Sequence, residues 1–128
     1  MTTLHPRRGL LAGLLAVAAL SPMGCSRAGM GDAVRADITA RMATTETPIA
    51  ACYHTALQSN RKLRGRMVVS FTAAPSTGAF TDVRLVSSNL GDEQLESCVL
   101  TAVGALALAT PQKTSVAATY PLDFSPVE

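Results

Sequence analysis

The stretch "RMVVSFTAAPSTGAFTDVRLVSS", residues 66–88, decides the fold. Met67, Val69 and Phe71 alternate with Arg66, Val68, Ser70 and Thr72, the two-residue repeat of a half-buried strand. "PSTG" then reads as a turn in which Gly78 is free to take positive φ. A second alternating run, "FTDVRLVSS", sets Val83 and Leu85 on one face. Two such runs joined by a short glycine-containing connection predict an antiparallel hairpin.

On either side of the hairpin the period changes from two to that of a helix. In "PIAACYHTAL", residues 48–57, the apolar positions Ile49, Cys52, Tyr53, Ala56 and Leu57 fall at i, i+3, i+4, i+7 and i+8, one helical stripe. Thr47 and Pro48 suit the cap and first turn, and His54 falls on the polar side with Gln58 and Arg61. Downstream, "NLGDEQLESCVLTAVGALAL", residues 89–108, carries the stripe Leu95, Cys98, Val99, Ala102, Val103 and Leu106. Asp92 is its expected N-cap, Glu93 and Glu96 complement the positive end of the helix dipole, and Pro111 ends the segment. The last run, "VAATYPLDF", places Val116, Ala118, Tyr120, Leu122 and Phe124 on one side. Pro121 cannot donate to a ladder, so this strand belongs at a sheet edge or carries a bulge. Helix, strand, strand, helix, strand predicts an α+β fold, a small three-stranded antiparallel sheet with both helices packed on one face, over residues 48–128.

The first 24 residues have the three regions of a secretory signal: Arg7 and Arg8 without an acid, the apolar run Leu10 to Leu20, and "SPMGC" with small and helix-breaking residues. That run falls short of the roughly 20 apolar residues that span a bilayer. Cys25 directly follows Gly24, where a bacterial lipoprotein signal places its lipidated cysteine, and Ser26 in place of Asp favours the outer membrane. An ordinary cleaved signal and an uncleaved anchor are the alternatives. Residues 25–47 are small and polar, with a weak helical pattern over 33–42, and read as a tether of about twenty residues, reaching ~70 Å when extended.

Export sets the chemistry of the other two cysteines. In an oxidising compartment, thiols on neighbouring core-facing stripes pair, and a Cys52–Cys98 disulfide would staple the two helices. Two unpaired buried thiols are the main alternative. A zinc site from Cys52, His54 and Cys98 lacks a fourth ligand and divides Cys52 and His54 between helix faces. His54 is also the base that a cysteine nucleophile would need, since His5 belongs to the signal.

A net charge of +2 over 128 residues gives no footprint for nucleic acid. The one basic cluster, "RKLRGR" at 61–66, reads as a solvated turn. No Ser/His/Asp set, paired carboxylates or glycine-rich phosphate loop appears, and Asp82, Asp92 and Glu93 read as hairpin and capping residues. The sequence therefore predicts no enzyme, no cofactor and no metal.

Taken in order, "CYHTAL", "LRGRMVVSFTAAPSTGAFTDVRLVSSNLGD", "LESCVLTAV" and "YPLDFSP" resemble the TonB C-terminal domain, and more closely its myxobacterial AgmX/PglI-type version, over residues 48–127. The resemblance implies a non-catalytic periplasmic module that binds another cell-envelope protein by adding a strand to a sheet edge. The edge strand Val116, Ala118, Tyr120, Leu122 and Phe124 is the corresponding surface here. Where the family commonly has an aromatic after the second helix, this chain has "LALATP". A short signal and tether fit a lipid-anchored binding module better than an energy transducer, which needs a membrane-spanning anchor and a long spacer.

Overall fold

The hairpin forms as predicted: β1 (Gly65–Ala73) and β2 (Phe80–Ser88) are antiparallel, and Gly78 takes φ 72° in the turn between them. The computed structural model describes residues 30–126, so the signal segment 1–24 and Cys25 lie outside the described residues. β3 (Val116–Phe124) pairs with the other side of β1, in an unbroken register from Gly65↔Phe124 to Ala73↔Val116. The sheet order is β2-β1-β3, which makes β3 the edge strand that Pro121 predicts.

β1 is the centre of the core. Met67, Val69, Phe71 and Ala73 are all buried, while Arg66, Val68, Ser70 and Thr72 stay partly or fully exposed on the opposite face. Burying each of the three large side chains is worth about 1.5–3 kcal/mol. Phe71 also stacks on Phe80 across the hairpin, with ring centroids 4.2 Å apart.

β2 departs from simple alternation. Its register against β1 slips twice, once between Val68 and Val69 and once between Ser70 and Thr72. Val86 is an extra residue at the first slip, and Asp82 and Val83 together oppose Phe71 at the second. Asp82 takes φ 52° there, a left-handed conformation typical of a bulge. Val83 reaches the core, but Leu85, expected beside it in the core, remains 36% exposed.

Among the described residues there are three helices, one more than the sequence predicts. α1 (Asp32–Ala43) occupies the stretch read as a tether. It buries Ile38 and Met42, with Val34 packed against the same core, and Asp37 accepts hydrogen bonds from the amides of Ala109 (3.1 Å) and Thr110 (2.8 Å). The predicted tether therefore contributes a helix to the folded unit. α2 (Glu46–Ser59) follows after two residues, with buried Thr45 at its N-cap position rather than Thr47. Pro48 is the third helical residue, where the amide it lacks would have no intrahelical acceptor.

α2 packs on α3 (Glu93–Gly104), and α3 packs on β2. Asp92 caps α3 as expected, its carboxylate accepting from the Leu95 amide at 2.9 Å. The helix is shorter than its apolar pattern suggests. After Gly104 the chain turns, and Leu106–Leu108 run beside the start of β2: Phe80 donates to the Leu106 carbonyl and Leu108 to the Gly78 carbonyl, both at 2.9 Å. "ALAL" satisfies the helical period, yet pairing with a waiting strand edge wins over one more helical turn.

Candidate functional site

Two of the three strands lie at an edge, and the chain treats them differently. The outer side of β2 is blunted by the Leu106–Leu108 segment at one end and by the two bulges along its length. Nothing among the described residues pairs with the outer side of β3, nine residues in a regular ladder.

Backbone bookkeeping shows which groups β3 leaves free. Arg66 turns both its polar backbone groups toward β2: its carbonyl accepts from the Asn89 amide at 3.2 Å, and its amide donates to the Asn89 side chain at 2.8 Å. In an antiparallel ladder this orientation alternates, so Val68, Ser70 and Thr72 also turn toward β2, while Met67, Val69 and Phe71 turn toward β3. Val68 and Pro121 are therefore a non-hydrogen-bonded pair, which is how the ladder passes a residue with no amide proton. It follows that Ala117, Thr119, Pro121 and Asp123 point their backbone groups at the free edge. Ala117, Thr119 and Asp123 each offer a donor and an acceptor there, and Pro121 an acceptor alone.

The five residues singled out from the sequence have the complementary placement. Ala118 and Phe124 are buried, and Val116, Tyr120 and Leu122 are half-buried, all packed in or against the core on the helix side. Their side chains build the inner wall of the strand, and their odd-numbered neighbours carry its free backbone. The parity of Pro121 was the signal in the sequence that could have separated the two sets.

The far end of the edge is fixed by an ion pair on the outer face. Arg66 and Asp123, directly opposed on β1 and β3, make a two-pronged contact with Nε–Oδ1 at 2.7 Å and Nη2–Oδ2 at 3.1 Å. The hydrogen bond from Arg66 holds the Asp123 carboxyl below the usual carboxylate range, its desolvation working against this and the Arg66 charge adding to it. A carboxyl with a depressed folded-state pKa stabilises the fold above the ordinary carboxylate pKa, and that contribution disappears as pH falls through the depressed value. Both side chains are more than half exposed, so solvent keeps the effect small. Arg66→Gln should move the Asp123 titration up toward the ordinary range, followed by the carboxyl carbon shift in NMR.

Cys52 and Cys98 form the predicted disulfide, with Cα atoms 5.9 Å apart. Bonded to each other, neither is a thiolate ligand or nucleophile, and His54 is exposed on the polar side of α2. One expectation needs correcting: Cys52 is buried at 8% exposure, but Cys98 is exposed. The buried line of α3 is Leu95, Val99 and Val103, and Cys98 sits about 100° round the helix from Val99. The bridge therefore closes the outer side of the α2–α3 contact, where pairing needs no burial of both sulfurs. Tyr53, the neighbour of Cys52, donates its hydroxyl to the Leu63 carbonyl and sets its ring 5.2 Å from Phe124. Burial raises its phenol above the ordinary value, with Arg64 opposing. Leu63 is the buried residue of "RKLRGR", whose Arg61, Lys62, Arg64 and Arg66 are exposed. Among the described residues no group of three His, Cys, Asp or Glu side chains could hold a metal, and no helix is long and apolar enough to cross a membrane.

This arrangement is similar to that of a TonB C-terminal domain of known structure. The solution structure of the Helicobacter pylori TonB C-terminal domain matches with a TM-score of 0.51 and 26% identity, over 78% of this chain and 97% of that one. A shorter version of the same domain matches at 0.44 and 24%, over 66% and 91%. No family model matches the chain, and neither does any curated protein. The fold is thus α+β of TonB C-terminal type, as the sequence resemblance implies.

Proposed function

We propose that this chain is an exported, non-catalytic interaction module of the bacterial cell envelope, which binds an extended segment of another envelope protein along the free edge of β3. The observation that carries this reading is the asymmetry of the sheet: the β2 edge is closed by Leu106–Leu108 and two bulges, whereas among the described residues nothing pairs with the seven backbone donors and acceptors of the β3 edge at Ala117, Thr119, Pro121 and Asp123. Main-chain pairing of this kind supplies affinity with little dependence on sequence. The disulfide fits an oxidising periplasm, and the fold is that of a TonB C-terminal domain. A lipid on Cys25 would hold the module at the outer membrane, in keeping with an AgmX/PglI-type envelope protein.

Photo-crosslinking in intact envelopes tests the edge. A photoreactive residue at Ala117 or Asp123 is expected to give a discrete adduct that disappears when Thr119→Pro is added, while the same residue at Ser87 on β2 gives none. Equal adducts from both edges would sink the strand-addition reading. In the same cells, Cys25→Ser should abolish palmitate labelling and membrane retention, and an unchanged membrane fraction would remove the lipid anchor.

A further inference from the structure

A groove of about 400 Å³ runs beside the C-terminal half of β3, on its helix side. Its floor and walls include Met42 from α1, Ile49, Ala50 and Tyr53 from α2, and Leu122 from β3. It exists because α1 folds back onto the sheet: with residues 32–43 as a tether, one wall would be missing.

The position of this groove matters for what binds the edge. Side chains of an added strand alternate like those of β3 itself. Residues of the guest opposite Ala117, Thr119, Pro121 and Asp123 project to the outer face, away from the helices. Residues opposite Tyr120 and Leu122 project to the helix side, where both of those side chains line the groove. Two guest positions, i and i+2, thus straddle Pro121 and enter a predominantly apolar space. The charged residues at the groove are Glu46 and Asp123. Asp123 is engaged by Arg66, while Glu46 is exposed and makes no ion pair among the described residues, so the rim is net negative.

Resting on the strand-addition reading above, we propose that this groove selects the guest: an extended peptide with leucine-sized apolar side chains at i and i+2 opposite Tyr120 and Leu122, and a lysine or arginine beyond them that meets Glu46. The β3 backbone accepts any extended chain, and the groove confers preference. It is a different surface from the ladder, so the two contributions separate by mutation.

The test uses the full-length chain in detergent micelles and two fluorescent ten-residue peptides. One alternates threonine and leucine and ends in lysine; the other has serine in place of each leucine. Anisotropy titration should show the leucine peptide binding at least tenfold more tightly. Ala50→Trp, which fills the groove from an exposed position, should erase that preference, and Glu46→Lys should weaken the leucine peptide several-fold. Thr119→Pro should weaken both peptides together. Thermal melts within a few degrees of the parent confirm that each variant is folded.

Equal affinity of the two peptides, or no binding of either up to a millimolar, overturns the proposal. So does a leucine preference that survives Ala50→Trp; if Thr119→Pro still weakens both peptides, strand addition stands and only the groove assignment falls. A leucine preference lost in Ala50→Trp but untouched by Thr119→Pro overturns strand addition, and with it the proposed register. Sedimentation showing a dimer that Ala50→Trp dissociates would assign the groove to a second copy of this chain, again overturning a peptide guest.

Discussion

Replacing Cys52 and Cys98 together by serine should lower the unfolding free energy by about 4 kcal/mol, the chain-entropy value for a loop of this size. The bridge closes a 46-residue separation that contains the whole β1–β2 hairpin, so its loss releases the middle of the unfolded chain. Domains of this size are stable by roughly 5–15 kcal/mol, so the bridge accounts for a large share. The midpoint of thermal unfolding should fall by about 15–30 °C. Adding dithiothreitol to the parent should do the same, and without prior unfolding, because Cys98 is an exposed residue. Parallel melts of parent, reduced parent and double variant decide the matter. Coincident midpoints for oxidised and reduced protein would show that helix packing, not the bridge, holds α2 against α3.

Proline at two adjacent positions of β3 should have opposite consequences. Ala118 is buried and, by the alternation that Arg66 sets, turns its backbone toward Phe71 on the central strand. Ala118→Pro removes that donor and leaves a buried acceptor unsatisfied, and its ring has to be fitted against the core. A loss of about 3 kcal/mol is expected, enough with reduction of the disulfide to unfold much of the protein. Thr119 turns its backbone outward, as Pro121 already does, so Thr119→Pro should change stability little while removing a donor from the free edge. Urea unfolding of the two variants gives the comparison directly. If Thr119→Pro proved the more destabilising, the assignment of inward and outward backbone groups would be wrong.

Much of this was legible in the sequence because it is local. Strict alternation in Met67, Val69 and Phe71, the turn glycine Gly78, the Asp92 cap and the prolyl break at Pro121 each act within a few residues. Cys52 and Cys98 were legible as a pair through helical period and redox environment, although period alone set Cys98 too deep. The features that escaped depend on distant parts of the chain. α1 carries its apolar residues at Val34, Ile38 and Met42, one per turn among alanines and polar groups, too sparse to announce a helix. What fixes it is tertiary: a buried face and Asp37 reaching amides more than seventy residues away. The early end of α3 has the same origin, since the carbonyl of Leu106 finds the Phe80 amide. Missing α1 hid the groove, because one of its walls is that helix.

The docking of α1 also bears on the reach that the proposed lipid anchor would allow. Met30 already packs against the core, so an anchor at Cys25 would be at most five residues, or about 18 Å of chain, from the folded unit instead of ~70 Å. The lipid anchor proposed at Cys25 would then confine the module to a volume smaller by roughly fiftyfold, with its local concentration against membrane-adjacent partners raised to match. A module held in this way would not fish across the periplasm. Under that proposal it would wait at the bilayer surface for a segment that emerges beside it.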